Sequence, residues 1–309
     1  MRKLLTTAML LLSGSLSAAG FSSSARGTTA GGFLELGVGG RAMGMGGAYT
    51  AAADDATVLY WNPAGLTGVE RRAASFMHAS HLQGSFYDYA AYAQKLGDKG
   101  TAAASFQYFD FGSLTQTDAN YNALGSFHPN DLALTAGYAR KIAALDGVSA
   151  GASVKYIRSV ITQTAQTAAV DLGLTSRDYL DRRLRVAAAV LNMGGTLKFR
   201  DTAENLPLTF KAGGLFRITP RWATTLDLAS PRDDDPYAAF GTEYVLPVSG
   251  GWEFAGRMGY NSQTLGDVTG VSGLSMGVGV GSRGLSFDYA FTPYGGVGIS
   301  NRFSVSAKF

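Results

Sequence analysis

Four strings in this sequence have the residue types and spacing of known chemistry. Gly273-Leu274-Ser275-Met276-Gly277 has the spacing of a nucleophile elbow, in which a serine on a sharp strand-to-helix turn is activated by a later acid and histidine. The last histidine, His128, lies upstream instead, and the residues around Ser275 alternate as a strand does. The glycines there read as spacers along a closely packed strand. Gly37-Val38-Gly39-Gly40-Arg41-Ala42 imitates a dinucleotide fingerprint, but that site needs a strand, a helix and an acid about 20 residues on. Position 62 is Asn, and no parallel strand–helix–strand pattern follows. His78 and His81 are separated by an odd number, so a strand would turn them to opposite faces and away from a shared metal. Asp233-Asp234-Asp235 lies between Pro231 and Pro236 without the spaced oxygens and glycine of a calcium loop, and reads as a solvated surface loop. These residues give no catalytic set, no metal site and no cofactor, so the chain is expected not to be an enzyme.

The elements that carry these strings are strands. From about residue 73 onward the hydrophobic period is two. Phe303, Val305, Ala307 and Phe309 alternate with Arg302, Ser304, Ser306 and Lys308. Leu285, Phe287, Tyr289 and Phe291 alternate with Ser286, Asp288 and Thr292. Trp252, Phe254, Met258 and Tyr260 alternate with Glu253, Arg257 and Asn261, and Val148 to Tyr156 follow the same rule around Ser149, Ser153 and Lys155. Fourteen such segments are predicted: 73–81, 84–95, 100–111, 131–142, 147–158, 165–176, 184–193, 207–217, 221–230, 237–246, 252–262, 273–282, 284–293 and 300–309. Most are close to the 9–11 residues that a tilted strand needs to cross a bilayer. Connections after even-numbered segments are short, such as 96–99 and Ser282-Arg283. Several after odd-numbered ones are long, such as 112–130, 194–206 and 262–272, although the first hairpin near His81 is tight. Short periplasmic turns alternating with longer extracellular loops is the pattern of an outer-membrane barrel. An even count places both chain ends on the periplasmic side.

Composition agrees. Charged residues make up 16% of the chain, below the about 25% usual for a soluble domain, and 41 of 309 residues are glycine. The chain opens Met1-Arg2-Lys3, continues with an apolar run to Leu12, and reaches Ser17-Ala18-Ala19, which reads as a secretory signal peptide over 1–19. Loss of Arg2 and Lys3 leaves 24 basic against 23 acidic residues, a balance that argues against a nucleic-acid partner. There is no cysteine. No later apolar run approaches the about 20 residues of a membrane helix, so a membrane-spanning form must be a closed barrel. The expected architecture is all-β: a transmembrane antiparallel up-and-down barrel of about fourteen strands over 73–309, with an N-terminal segment, 20–72, packed into the lumen as a plug.

In that segment the glycines at 37, 39, 40, 44, 46 and 47 let the backbone run close to the wall, and Asn62-Pro63 sets a turn or helix start. Asp54, Asp55 and Asn62 are the candidate lumen residues, expected either to bond wall residues such as Lys155, Arg257 or Lys308, or only to cap a local turn. Trp61, Pro63 and Gly65 complete the candidate plug set, and Phe309 is the candidate C-terminal signal for barrel assembly.

The stretch Leu36-Gly37 to Tyr49, then Asp54-Asp55-Ala56 and Trp61-Asn62-Pro63-Ala64-Gly65-Leu66, resembles the N-terminal signature shared by FadL-type transporters and PorV/PorQ proteins. Leu285 to Gly295, with the aromatic end at Phe309, and the total length are more similar to PorV/PorQ. The resemblance implies a fourteen-stranded outer-membrane barrel with an N-terminal plug, in contact with outer-membrane lipid and the barrel assembly machinery. For PorV-like members it implies a role in type IX secretion, with secreted proteins carrying C-terminal sorting domains as partners. For FadL-like members it implies passive transport of hydrophobic small molecules, although this chain lacks the long loops that build a deep external pocket there.

Overall fold

The computed structural model describes residues 21–264 and 270–309; the expected signal peptide, 1–19, lies outside them. Among the described residues, fourteen antiparallel strands close into one barrel. They are β1 (Arg72–Ser80), β2 (Phe86–Lys95), β3 (Thr101–Asp110), β6 (Asn130–Lys141), β7 (Ser149–Val160), β8 (Thr164–Thr175), β9 (Leu184–Met193), β12 (Thr209–Thr219), β13 (Trp222–Pro231), β14 (Tyr237–Val248), β15 (Trp252–Asn261), β16 (Leu274–Ser282), β17 (Leu285–Pro293) and β18 (Ile299–Lys308). Each pairs with its neighbour in sequence, and β18 closes on β1 through Phe76↔Val305 and His78↔Phe303. The fourteen predicted segments and these strands agree one for one. Phe309 extends the closure, because its N–H donates to Arg72 O at 3.0 Å and its carbonyl accepts from Arg72 N at 3.1 Å.

The barrel is apolar outside and polar inside. Phe76, Val154, Leu172, Leu226, Phe254, Met276, Phe287 and Phe303 stand exposed on its outer face. Lys155, Asp171, Asp227, Glu243, Arg257, Asp288 and Arg302 are buried on the inner one. A soluble barrel has the opposite polarity; this arrangement suits a wall facing lipid. Trp222, Tyr244 and Trp252 sit outside at the rim with the short turns, in the place of an interfacial aromatic girdle. That rim also holds Arg72 and Phe309 and is the inner, periplasmic one.

Two further hairpins rise from the outer rim, where the sequence pattern shows only long loops. β4 (Leu114–Thr117) pairs with β5 (Ala123–Phe127), and β10 (Thr196–Phe199) pairs with β11 (Thr202–Asn205). Within the barrel wall, the β8–β9 ladder stops at Val170↔Met193, so residues 164–169 of β8 have no β9 partner. The β10–β11 hairpin lies beside that stretch, with Leu197 fully buried.

The lumen is filled by the N-terminal segment. It contains a 3₁₀ turn at Gly32–Glu35, helix α1 (Gly40–Gly44), helix α2 (Val58–Trp61) and a 3₁₀ stretch at Pro63–Gly68. Val38, Ala42, Met45, Tyr49, Leu59 and Leu66 are buried there and belong to the apolar core that the segment shares with the barrel wall. No helix among the described residues is long and apolar enough to cross a membrane.

Candidate functional site: the plug and its seat in the barrel

The seat is built by glycines on both partners. An added Cβ at Gly277 would lie 3.0 Å from Gly44 Cα, and one at Gly241 would lie 2.6 Å from Met45 O. Gly137, Gly151, Gly173, Gly213 and Gly259 likewise meet plug atoms where a side chain would stand. The plug glycines expected to approach the wall do so: Gly40 N donates to Ser304 Oγ at 2.9 Å, and Gly46 N donates to Ser275 Oγ at 2.9 Å. Ser275, the serine of the elbow-like string, is therefore an acceptor for the plug backbone on a strand.

Charge fastens the inner side of the plug. Arg41 on α1 donates from Nε and Nη2 to the two carboxylate oxygens of Glu243 at 2.8 and 2.7 Å, and from Nη1 to Asp54 Oδ1 at 2.7 Å. Glu243 also accepts from Arg257 Nε at 2.7 Å, and Arg257 reaches Asp288 Oδ1 at 2.7 Å. Lys308 Nζ lies 3.2 Å from Asp54 Oδ1. Burial would raise the Asp54 carboxyl, but Arg41 and Lys308 outweigh it and hold it well below the usual carboxylate range. These groups line a cavity of about 410 Å³ that opens toward the inner rim.

The candidate residues divide by role. Asp54 is tied to the wall through Lys308, one of its three expected partners, and through Arg41 and Glu243 to Arg257. Lys155 takes no part, because it pairs with Asp171 at 3.0 Å and donates to Asn192 Oδ1 at 2.6 Å. Asp55 turns inward to its own segment, accepting from Thr57 N at 2.8 Å and Thr57 Oγ1 at 2.5 Å. Burial and then the neighbouring Asp54 push its carboxyl up. Asn62 does both jobs: Oδ1 caps Ala64 N at 3.0 Å, and Nδ2 reaches Thr50 O and, on β8, Leu174 O at 3.2 Å each. Pro63 follows at the first position of the 3₁₀ stretch, where no N–H is required. Gly65 packs against Val58, and Trp61 Nε1 donates to Val38 O at 3.1 Å.

The wall residues Glu243 and Asp227 escaped the sequence reading, and Asp288, Ser304 and Arg41 entered it only as members of an alternating strand or a glycine-rich string. Asp227 Oδ2 accepts from Tyr49 N at 2.9 Å, Thr50 N at 2.9 Å and Thr50 Oγ1 at 2.6 Å. A signal was present, since Asp227 lies between Leu226 and Leu228 and Glu243 alternates with outward Tyr244. A charge at an inward strand position faces the lumen and needs a partner there. The acidic loop also differs from the expected solvated one. Asp233 bonds Thr29 Oγ1, Asp234 accepts from Arg26 Nε at 2.7 Å, and Asp235 accepts from Ser23 N at 2.9 Å. It clamps the first described residues to the outer rim, and Phe21 reaches Phe210 with ring centroids 5.9 Å apart. His78 faces outward to Asp88 at 2.7 Å, whereas His81 meets Ser300 at 3.1 Å, so the two are apart as their spacing implies.

With the barrel and plug described, comparison with known proteins is decisive at one level. The family of the type IX secretion system protein PorV matches residues 22–220, which span the plug and the first half of the barrel. The chain belongs to the PorV family. No curated protein matches it. Among solved structures, it is similar to the Pseudomonas putida toluene transporter TodX at 12% identity and a TM-score of 0.63, over 88% of this chain and 99% of that one. The Ralstonia pickettii toluene transporter TbuX aligns at 13% identity and a TM-score of 0.56, over 88% and 98% of the two chains. A Pseudomonas aeruginosa FadL homologue aligns at 12% identity and a TM-score of 0.56, over 87% and 97%. At these identities the likeness is one of fold. This PorV-family chain is thus an outer-membrane β-barrel with a FadL-like architecture.

Proposed function

We propose that this PorV-family barrel is a non-enzymatic component of protein export and surface attachment, working in the manner of type IX secretion. The observation that carries the reading is family membership across the plug and half the barrel. The seated plug supports it, because glycine contacts and the Arg41 bridge fill the lumen, as suits a docking component rather than a wide conduit. The outer rim supplies a surface for a protein partner. The β4–β5 hairpin stands clear of the barrel with Leu114, Tyr121 and Leu124 exposed. An isolated two-stranded hairpin is marginal in water, and exposed apolar side chains along it suit a bound protein. The partners in this reading are secreted proteins with C-terminal sorting domains, and Phe309 is the end read by the barrel assembly machinery after the signal peptide is removed. The test compares the surface and periplasmic proteomes of cells with and without the gene. Proteins sharing a C-terminal sorting domain are expected to accumulate in the periplasm of the deletion strain; an unchanged surface proteome sinks the reading.

A second reading, passive transport of hydrophobic small molecules, is favoured by one feature. The unpaired stretch of β8 leaves a break in the upper wall, closed by the β10–β11 hairpin rather than by a ladder. Uptake of toluene or a long-chain fatty acid should then fall in the deletion strain. Unaltered uptake removes this reading.

A further inference from the structure

The two rims of the barrel carry opposite charge. The outer-rim loops are acid-rich, with Asp118, Asp201, Glu204 and the 233–235 run against Lys198, Arg200 and Arg232. The inner-rim turns are basic, and the excess concentrates on two of them. The β8–β9 turn carries Arg177, Arg182 and Arg183, with Arg185 just beyond it, and Arg217 and Arg221 flank the β12–β13 turn. β9 and β12 are neighbours in the wall, so the two turns stand side by side. Three of these arginines are held by acids. Arg177 pairs with Asp146, Arg185 Nε lies 2.7 Å from Asp178 Oδ1, and Arg217 lies 3.7 Å from the same carboxylate. Arg182, Arg183 and Arg221 are exposed, and among the described residues no carboxylate lies within salt-bridge reach of them. The turn that presents two of them has a fixed and unusual shape. Leu180, Asp181 and Arg182 follow one another in left-handed backbone, at φ 51°, 54° and 66°, a conformation that Leu and Arg rarely adopt. Paired backbone hydrogen bonds between Tyr179 and Leu184, at 2.7 and 3.0 Å, close the turn, and Arg217 Nη1 donates to Arg182 O at 2.9 Å.

What lies beside these arginines identifies the partner. Phe216 and Trp222 stand exposed on the outer face at the same two turns, and Trp222 belongs to the aromatic girdle. Phe216 lies opposite Leu184, and Trp222 lies opposite Thr219, so both rings sit within a few residues of the arginines. A lipid chain laid along these rings brings its headgroup to the height of the rim. Guanidinium groups match phosphate oxygens with paired, parallel hydrogen bonds, and clustered arginines at a membrane surface draw anionic headgroups. We propose that the β8–β9 and β12–β13 turns form a docking site for an anionic phospholipid of the inner leaflet, with its phosphate on Arg182, Arg183 and Arg221 and its chains along Phe216 and Trp222. An acidic periplasmic protein would also satisfy the arginines, but it would have no use for rings that face the bilayer. The site needs only the orientation of the barrel in the membrane, and it is independent of what the barrel exports or admits.

Trp222 reads the site directly. Trp61 is buried in the lumen, and Trp252→Phe removes the other exposed tryptophan, which leaves Trp222 as the one that lipid can quench. This parent is refolded into phosphatidylcholine vesicles in which a rising share of the lipid is brominated phosphatidylglycerol or, separately, brominated phosphatidylcholine. Quenching should show a preference for phosphatidylglycerol of about five-fold or more, the worth of one arginine at an anionic surface. A triple variant, Arg182→Gln with Arg183→Gln and Arg221→Gln, leaves the Asp146 and Asp178 pairs in place and should bring the ratio to within about two-fold of parity. Equal quenching by the two lipids in the parent, or a preference fully kept in the triple variant, would overturn the proposal. So would polyglutamate binding to the parent in pure phosphatidylcholine, lost in the triple variant and unaccompanied by any lipid preference, because the arginines would then serve an acidic protein. If the triple variant does not refold, the comparison of the two lipids in the parent still decides it.

Discussion

Replacing Arg41 by Met removes three charge-assisted hydrogen bonds, two to Glu243 of the wall and one to Asp54 within the plug, while keeping most of the side chain's volume. Glu243 retains Arg257 at 2.7 Å and Asp54 retains Lys308 at 3.2 Å, so neither acid is stranded. Breaking one side of a buried ion pair costs about 3–5 kcal/mol, and the surviving partners place this case at the low end. A loss of about 3 kcal/mol raises the population with the plug unseated by roughly 150-fold. The chain has no cysteine, so a single introduced thiol reads that population cleanly. Ser304 is a suitable site, because it is buried behind Gly40 and becomes accessible only when α1 lifts away. In a Ser304→Cys background, labelling by a polar maleimide follows the opening equilibrium when reclosing is fast. Arg41→Met should speed labelling by about two orders of magnitude. Glu243→Gln should act in the same direction, and the double variant should fall short of the sum of the two because they break one bridge. Labelling within three-fold of the parent would refute the idea that this bridge fastens the plug.

Three further outcomes follow from the same geometry. Phe287→Arg puts a charge on the lipid face, where the cost reaches about 2–4 kcal/mol at the bilayer midplane and falls toward the rims; Ser286→Arg, on the inner face, should be far milder, and equal effects on folding into vesicles would mean the polarity of the wall is wrong. Glu35 is pushed up from 4.5 to about 7, chiefly by burial and then by Asp233 and Asp234, against the opposing pulls of Thr209 and Lys211. Its protonated form is the one the folded state favours, so its contribution to plug seating is complete below pH 4.5 and is lost as the pH rises through about 7. The labelling rate should climb over that window, and Glu35→Gln should flatten this part of the climb. Asn62→Ala strands buried acceptors on Thr50 and Leu174 and uncaps Ala64, which should cost about 1–3 kcal/mol in a denaturant titration; a loss below 0.5 kcal/mol, the ordinary scatter of surface changes, would argue that water replaces the amide without penalty.

The barrel was legible because a wall between lipid and a polar lumen imposes one rule on every strand, and Phe303, Arg302 and their neighbours obey it without exception. The extra hairpins were not legible, since β4–β5 buries neither face and β10–β11 buries little beyond Leu197; with nothing to bury, Leu114–Thr117 and Ala123–Phe127 need no alternation. The plug was legible as a departure from period two, and its glycines as close approach. Its partners were harder. Lys308 follows from its inward phase at the end of the last strand, whereas Lys155 shares that phase and still misses the plug, because Asp171 is nearer along its own wall. Phase states which face a charge occupies and leaves its height and neighbour open. The same limit hid the wall glycines: Gly241 and Gly259 sit at inward positions where a small residue looks like a gap in the pattern, and only the backbone of Met45 and Gly46 lying against them explains it. The two rules together make the lumen readable in the other direction. Inward glycines mark where plug backbone touches the wall, and inward charges mark where it must be paired, as Glu243 is by Arg41.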